Sequence, residues 1–81
     1  MASVTEEVLL VIEWIKEGNA PIRKTINTSI TSYGLKHYAE RKMGKYISND
    51  SFIEAMLIAG FKGRRIKDSE NYFFNVKTPK E

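Results

Sequence analysis

Three side chains that could stack on a nucleobase recur at intervals of four residues. They are Tyr33, His37 and Arg41. At about 100° per residue this spacing predicts one outward stripe on a helix, opposite Leu35 and Ala39. A phenol, an imidazole and a guanidinium can each stack on a base, and the guanidinium can also contact a phosphate. The stripe is therefore a candidate nucleic-acid contact, and an ordinary solvated helix face is the alternative.

Basic side chains are concentrated in two blocks of the sequence, although the net charge is only +3. Residues 21–47 contain six bases and one acid, and residues 61–67 contain four bases and no acid. The two blocks could form one surface that binds a polyanion, whereas scattered bases that only keep the chain soluble are the alternative. Besides the stripe, the predicted nucleic-acid contacts are Arg23, Lys24, Lys36, Lys45, Arg64, Arg65 and Lys67.

The stretch 48–60 has the wrong charge for a helix that reads duplex DNA. It contains two acids, Asp50 and Glu54, and no base. Acids repel phosphates, and the aliphatic Leu57 and Ile58 on the same predicted face cannot identify a guanine by bidentate contacts. We expect this face to contact a protein partner or a second copy, or to form an apolar pocket. The alternative is that the first helix or the hairpin covers it.

The elements that position these residues begin with a helix from about Val4 to Glu17. Its predicted apolar face consists of Val4, Val8, Val11, Ile12 and Ile15. Gly18 is suited to the left-handed conformation that ends a helix. Leu10 and Trp14 lie four apart beside the acidic face, where they either cover other elements or form a contact surface.

Two further helices are predicted by their end signals. The second runs from about Ser32 to Met43, with Thr31 or Ser32 as cap and Gly44 as stop. The third has Ser48 as N-cap and Gly60 at its end. The residues expected to face inward are Leu35, Ala39 and Met43 in the second helix and Phe52, Met56 and Ala59 in the third, with Ile53 at the edge.

Strand patterns flank the last two helices. After Pro21, Ile22, Lys24 and Ile26 alternate with Arg23, Thr25 and Asn27, which predicts a short strand. Residues 64–67 are predicted to pair with 72–76 across a polar turn at 68–71. The order helix, strand, helix, helix, hairpin is that of an α+β winged helix-turn-helix, and another small α+β fold is the alternative. The 81 residues suffice for one domain, with an ordered core at about 4–76 and a tail at 77–81.

The run "TSYGLKHYAERKMGKYISNDSFIEAMLIAGF" resembles small winged-helix proteins of Gram-positive phages and integrating elements, including the single-stranded DNA-binding protein of staphylococcal cassette chromosomes. The similarity covers roughly Ile26 to Val76, and its most specific pieces are "SYGLKH" and "ISNDSFIEAM-IAGF". The resemblance implies a DNA-replication or element-maintenance role, and it implies no catalytic residue.

Nothing in the sequence predicts catalysis. The chain has one histidine and no cysteine, and "GFKG" lacks the Gly-Lys-Ser/Thr end of a phosphate loop. We therefore expect no enzyme, no cofactor and no metal. The longest apolar run, residues 8–12, is too short to span a bilayer, and no signal-peptide pattern opens the chain. These features predict a cytoplasmic protein with no membrane partner.

We expect this chain to bind single-stranded DNA by electrostatic attraction and base stacking. One alternative is a duplex-binding transcriptional regulator that uses its wing and second helix. The other is an adaptor that binds a protein partner, or a second copy of itself, through the third helix and the Leu10/Trp14 surface.

Overall fold

Three helices come first along the described chain and a β-hairpin comes last. The structure is a computed structural model that describes residues 4–79. Its elements are α1 (Val4–Trp14), a π-helical turn (Ile15–Asn19), α2 (Ser32–Met43), α3 (Asn49–Ile58), β1 (Gly63–Arg65) and β2 (Tyr72–Phe74). This is a small α+β domain, compatible with the predicted winged helix. The expected tail at 77–81 lies partly outside the described residues.

The first helix ends close to its predicted stop. Its α-helical part ends at Trp14, and the π-helical turn that follows contains Gly18, whose φ is +91°. The side-chain amide of Asn19 donates to the Trp14 carbonyl at 2.8 Å and closes this end. Val8 and Val11 are buried in the core as predicted. The predicted position of the Val4 side chain lies outside the described side chains.

The predicted ends of α2 and α3 are confirmed. The Thr31 hydroxyl accepts a hydrogen bond from Gly34 N at 3.3 Å, and Gly44 ends α2 with a φ of +69°. Ser48 caps α3 by accepting from Ser51 N at 3.2 Å. At the other end Gly60 has a φ of +98°. These short-range bonds satisfy backbone groups that a helix leaves unpaired at its ends.

The core lies between α1 and α3 and is closed by α2 and the hairpin. Its buried apolar residues are Val8, Val11, Trp14, Leu35, Ala39, Ile47, Phe52, Ile53, Ala55, Met56, Phe61, Phe74 and Val76. Two predictions for α3 are corrected here. Ala59 is exposed, because it is the C-cap residue from which the chain leaves the helix, and Ala55 is buried instead. Ile53 is buried rather than placed at the edge.

The strand predicted at 22–27 is not formed. Ile22 makes one antiparallel bridge to Val76, and the chain then bends at residues 24–25. The alternating pattern was misleading because Ile22 is 59% exposed, so no apolar face is buried there to hold a strand in register.

Asn27 joins this segment to the hairpin in place of a regular strand. Its backbone N–H donates to the Phe74 carbonyl at 2.9 Å. Its buried side-chain amide donates to the Val76 carbonyl at 2.9 Å and to Thr78 Oγ1 at 2.8 Å. The segment therefore follows β2 as an irregular third edge.

The hairpin has the predicted antiparallel pairing over a shorter length. Arg64 lies opposite Phe73, and the two flanking residue pairs complete the ladder. Ile66 N donates to the Asn71 carbonyl at 2.9 Å, and Asp68 in the turn has a φ of +60°. The turn thus occupies 66–71 rather than 68–71, so Lys67 lies in the turn and not in a strand.

Candidate nucleic-acid interface

The outer face of α2 and the turn that follows it carry exposed aromatic and basic side chains. Tyr33 is 50% exposed, and its ring centroid lies 4.3 Å from that of His37 with the two planes at 89°. Tyr46, in the turn, is 70% exposed. Arg41 and Lys45 line a shallow cleft of 300 Å³ with Tyr46. We call these five residues the tyrosine surface.

A single ammonium group links the two tyrosines. Lys36 Nζ lies 5.1 Å from the centroid of the Tyr33 ring and 4.7 Å from that of the Tyr46 ring. Both distances are within the range of a cation–π interaction. The two ring centroids are consequently less than about 10 Å apart, since that is the sum of the two distances, so both rings belong to one surface.

Lys36 itself is not available to a phosphate, and its prediction as a nucleic-acid contact is wrong. Only 3% of the residue is exposed, and Nζ forms an ion pair with Glu40 Oε2 at 3.0 Å. A buried ammonium requires a counter-charge, and the i,i+4 spacing provides it within α2. Lys36 therefore contacts the two tyrosine rings from a buried position.

Two carboxylates hold the turn that presents Tyr46. Glu40 Oε2 accepts from Ile47 N at 2.9 Å, and Glu7 Oε1 accepts from Ser48 N at 3.0 Å. Since these amides follow Tyr46 directly, the carboxylates fix the backbone between α2 and α3. Glu40 Oε1 also lies 3.0 Å from His37 Nδ1, which connects the turn to the stripe.

The same contacts change the acidity of both carboxyl groups. The backbone hydrogen bond from Ser48 lowers the pKa of Glu7, and burial opposes this effect only in part. For Glu40, burial on its own raises the pKa. The hydrogen bonds from Ile47 N and Lys36, together with the Lys36 charge, outweigh burial and lower the pKa of Glu40. Both groups are thus held in the charged form in the folded protein.

The remaining predicted basic contacts are exposed and belong to the segment after α1 or to the hairpin. Arg23 and Lys24 are in the irregular segment beside β2, where Arg23 Nη2 donates to Thr25 Oγ1 at 3.0 Å. Arg64 lies over the Phe73 ring at 5.9 Å. None of these side chains, nor that of Lys67, lines the cleft formed with Arg41, Lys45 and Tyr46.

Arg65 is the one predicted contact surrounded by acids. Its Nε donates to the Ser69 carbonyl at 3.1 Å, and its side chain lines a cleft with Asp50, Glu54 and Glu70. A phosphate at this position would meet three carboxylates and one guanidinium, so the site does not favour phosphate.

The predicted partner residues separate into two kinds. Leu57 and Ile58 are 45% and 62% exposed, so the rest of the described chain leaves them largely uncovered. Trp14 is buried and packs edge-on against Tyr38, with ring centroids 6.1 Å apart. Of the two alternatives for Trp14, covering another element is the correct one, although Leu10 and Trp14 also line a cleft of 490 Å³ between α1 and the end of α2.

Two residues of this site were missed from the sequence. Tyr46 follows a glycine and a lysine in a short polar connection, and this position should have indicated an exposed aromatic ring. Glu7 lies four residues before Val11, within the apolar stripe of α1, so it should have indicated a buried carboxylate with a partner.

Comparison with known proteins gives no further information on this site, because no family model, no characterised protein and no solved structure matches the chain. Within residues 4–79, no group of three or more histidine, aspartate and glutamate side chains is arranged to hold a metal ion. None of the helices described above is both long enough and apolar enough to cross a membrane.

Proposed function

We propose that this protein is a non-enzymatic winged-helix protein that binds single-stranded DNA on the tyrosine surface. The observation that carries the proposal is the pair of exposed tyrosine rings beside one buried ammonium, with Arg41 and Lys45 at their margin. Aromatic rings on a basic surface are the usual means of binding a single strand without strong sequence preference.

A single strand fits this surface better than a duplex does. In a duplex the faces of the bases are stacked on each other, so an exposed ring on a protein surface has no base face to contact unless a base is extruded. In a single strand the base faces are accessible, and Tyr33 and Tyr46 are exposed enough to receive them. Arg41 and Lys45 would then contact the phosphates between the stacked bases.

The shape and charge of α3 argue against reading of duplex DNA in the major groove. Asp50, Glu54, Leu57 and Ile58 are exposed on the face that would have to enter the groove. Carboxylates in a groove face two lines of phosphates, and this repulsion would oppose binding at every sequence. A role in the replication or maintenance of a phage or mobile element rests on the sequence resemblance and remains a prediction.

The stacking part of the proposal is tested with tyrosine variants. We expect Tyr33→Ala and Tyr46→Ala each to weaken binding of a fluorescein-labelled oligothymidylate by about 1–3 kcal/mol, measured by fluorescence anisotropy. Tyr33→Phe and Tyr46→Phe are the matched controls, since they keep the ring and should bind like the parent. Parent-like binding by both alanine variants, or tighter binding of a duplex of equal length, would refute the proposal.

The charge part is tested by the salt dependence of the same binding. Arg41→Gln should reduce the slope of log affinity against log salt by about 0.7, the value for one phosphate contact on a single strand. Arg65→Gln is the control, because Arg65 lies among acids and should leave the slope unchanged. A reduced slope in Arg65→Gln with an unchanged slope in Arg41→Gln would mean that the DNA contacts the hairpin and not α2.

A further inference from the structure

A groove between α3 and the hairpin combines exposed aliphatic groups with acids. It has a volume of 390 Å³ and is lined by Asp50, Ile53, Glu54, Leu57, Arg65, Glu70 and Tyr72. We call it the acidic groove. Its volume lies near the lower end of the range of about 300–1,000 Å³ that is usual for ligand clefts.

The apolar part of the groove is continuous with an uncovered face of α3. Leu57 lines the groove and is 45% exposed, and Ile58 beside it is 62% exposed. Neighbouring aliphatic side chains left in water favour contact with another apolar group. Below them Ile53 and Tyr72 are buried or half-buried, so the groove has an apolar floor.

The charge of the groove determines what kind of apolar group it accepts. Asp50, Glu54 and Glu70 give three negative charges and Arg65 gives one positive charge, so the groove carries −2 in a protein whose net charge is +3. No ion pair in the described part of the chain involves these three carboxylates. They are therefore available to cations from outside.

Two other occupants are disfavoured by the same charges. A nucleic acid would bring phosphates towards three carboxylates. A second copy packed symmetrically on this face would bring together two grooves that each carry a net charge of −2. A basic segment of another protein avoids both costs.

We propose that the acidic groove docks a short peptide segment of another protein in which lysines or arginines flank one or two leucine-like side chains. The aliphatic side chains contact Leu57 and the floor of the groove, and the bases lie beside Asp50, Glu54 and Glu70. Docking here leaves the tyrosine surface open, since none of its residues lines the groove. The inference stands independently of the proposed DNA binding.

The test uses the full chain and a labelled peptide of two leucines with two lysines on either side. We expect saturable binding at peptide concentrations up to about 1 mM, weakened by salt. Amide signals of Glu54, Leu57 and Tyr72 should shift in a ¹⁵N–¹H correlation spectrum of the protein. Replacing the leucines of the peptide by serine, or its lysines by glutamate, should abolish these shifts.

Exposed residues provide matched protein variants that leave the core intact. Leu57→Ser and Glu54→Gln should each weaken peptide binding about fivefold, which corresponds to the loss of one modest contact. Leu9→Ser and Glu13→Gln on α1 are the controls, because both residues are exposed and outside the groove. They should bind the peptide like the parent.

Several results would overturn the inference. These are absence of binding in that concentration range, shifts centred on α1, or equal weakening by the α1 controls. Sedimentation measures the oligomeric state. If the parent is a dimer and Leu57→Ser is a monomer, this face binds a second copy and not a peptide.

Discussion

Glu40→Gln is a small chemical change that removes the counter-charge of a buried ammonium. The Glu40 carboxylate contacts Lys36 Nζ at 3.0 Å, Ile47 N at 2.9 Å and His37 Nδ1 at 3.0 Å. Glutamine keeps the size of the side chain but has one acceptor oxygen and no charge. Its one oxygen can still accept from both Lys36 and Ile47, which share Oε2 in the parent, but it leaves the ammonium without a counter-charge.

The expected loss of unfolding free energy follows from these contacts. Removal of one partner from a buried ion pair typically costs about 3–5 kcal/mol, because the other charge remains buried and unpaired. Lys36 keeps its contacts with the rings of Tyr33 and Tyr46, and the glutamine oxygen can keep both hydrogen bonds, so we place the loss at the lower end of this range, about 3 kcal/mol. In a domain of this size such a loss lowers Tm by roughly 12–24 °C.

Urea unfolding followed by circular dichroism measures this loss. The exposed Glu17→Gln is the matched control and should change stability by less than about 0.5 kcal/mol. The double variant Lys36→Met with Glu40→Gln should recover much of the loss, since no unpaired charge is then buried. A loss below about 1 kcal/mol in Glu40→Gln, or strictly additive losses in the double variant, would refute the assignment of a buried, mutually dependent pair.

Three further predictions concern acid sensitivity and the helix ends. Because the pKa values of Glu7 and Glu40 are lowered on folding, their stabilisation is complete above the usual value of 4.5 and is lost as the pH falls through the lower folded-state values. Thermal melts of the parent above and below pH 4.5 should show that Tm falls as the pH is lowered. The fall in Tm should be smaller in Glu40→Gln, which lacks one of the two carboxylates. Ser48→Ala should cost about 1 kcal/mol in urea unfolding through loss of the N-cap, and a loss below about 0.3 kcal/mol would count against that cap. Gly60→Ala should cost about 1 kcal/mol because of its left-handed φ, and parent-like stability would contradict it.

The helix ends could be predicted from the sequence because local chemistry determines them. Thr31 and Ser48 each accept a hydrogen bond from a backbone amide three residues ahead, and Gly44 adopts the conformation that glycine favours. Each such contact lies within a few residues of chain and has a recognisable sequence pattern. The outward stripe of α2 was predictable for the same reason.

The residues that were wrongly predicted or missed depend on contacts between distant parts of the chain. Lys36 was expected in solvent, but Tyr46 lies ten residues away and covers its ammonium together with Tyr33. Glu7 is buried because it reaches Ser48, forty-one residues further along. No local pattern encodes such pairs, since folding must first bring the partners together: Glu7 of α1 with the start of α3, and Lys36 of α2 with the turn that follows it.

The strand predicted at 22–27 failed for a related reason. Ile22 and Ile26 would share one side of an extended chain with Lys24 between them, but strand formation requires a neighbouring edge and a buried face. Within the described residues one bridge forms there, and Asn27 bonds to the Phe74 carbonyl of β2 with its backbone N–H and to the Val76 carbonyl beyond β2 with its side chain. A polar side chain that replaces a strand ladder is not visible in an alternation pattern.

Binding of single-stranded DNA on the tyrosine surface is tested most directly by an NMR titration. With ¹⁵N-labelled protein and an oligothymidylate added stepwise, the amides of Tyr33, His37, Arg41, Lys45 and Tyr46 should show the largest shifts, while those of α3 beyond its first turn should barely move. The same titration with a duplex should give smaller shifts. Shifts centred on Glu54 to Ile58 with the duplex would show that α3 enters a groove and would contradict the account.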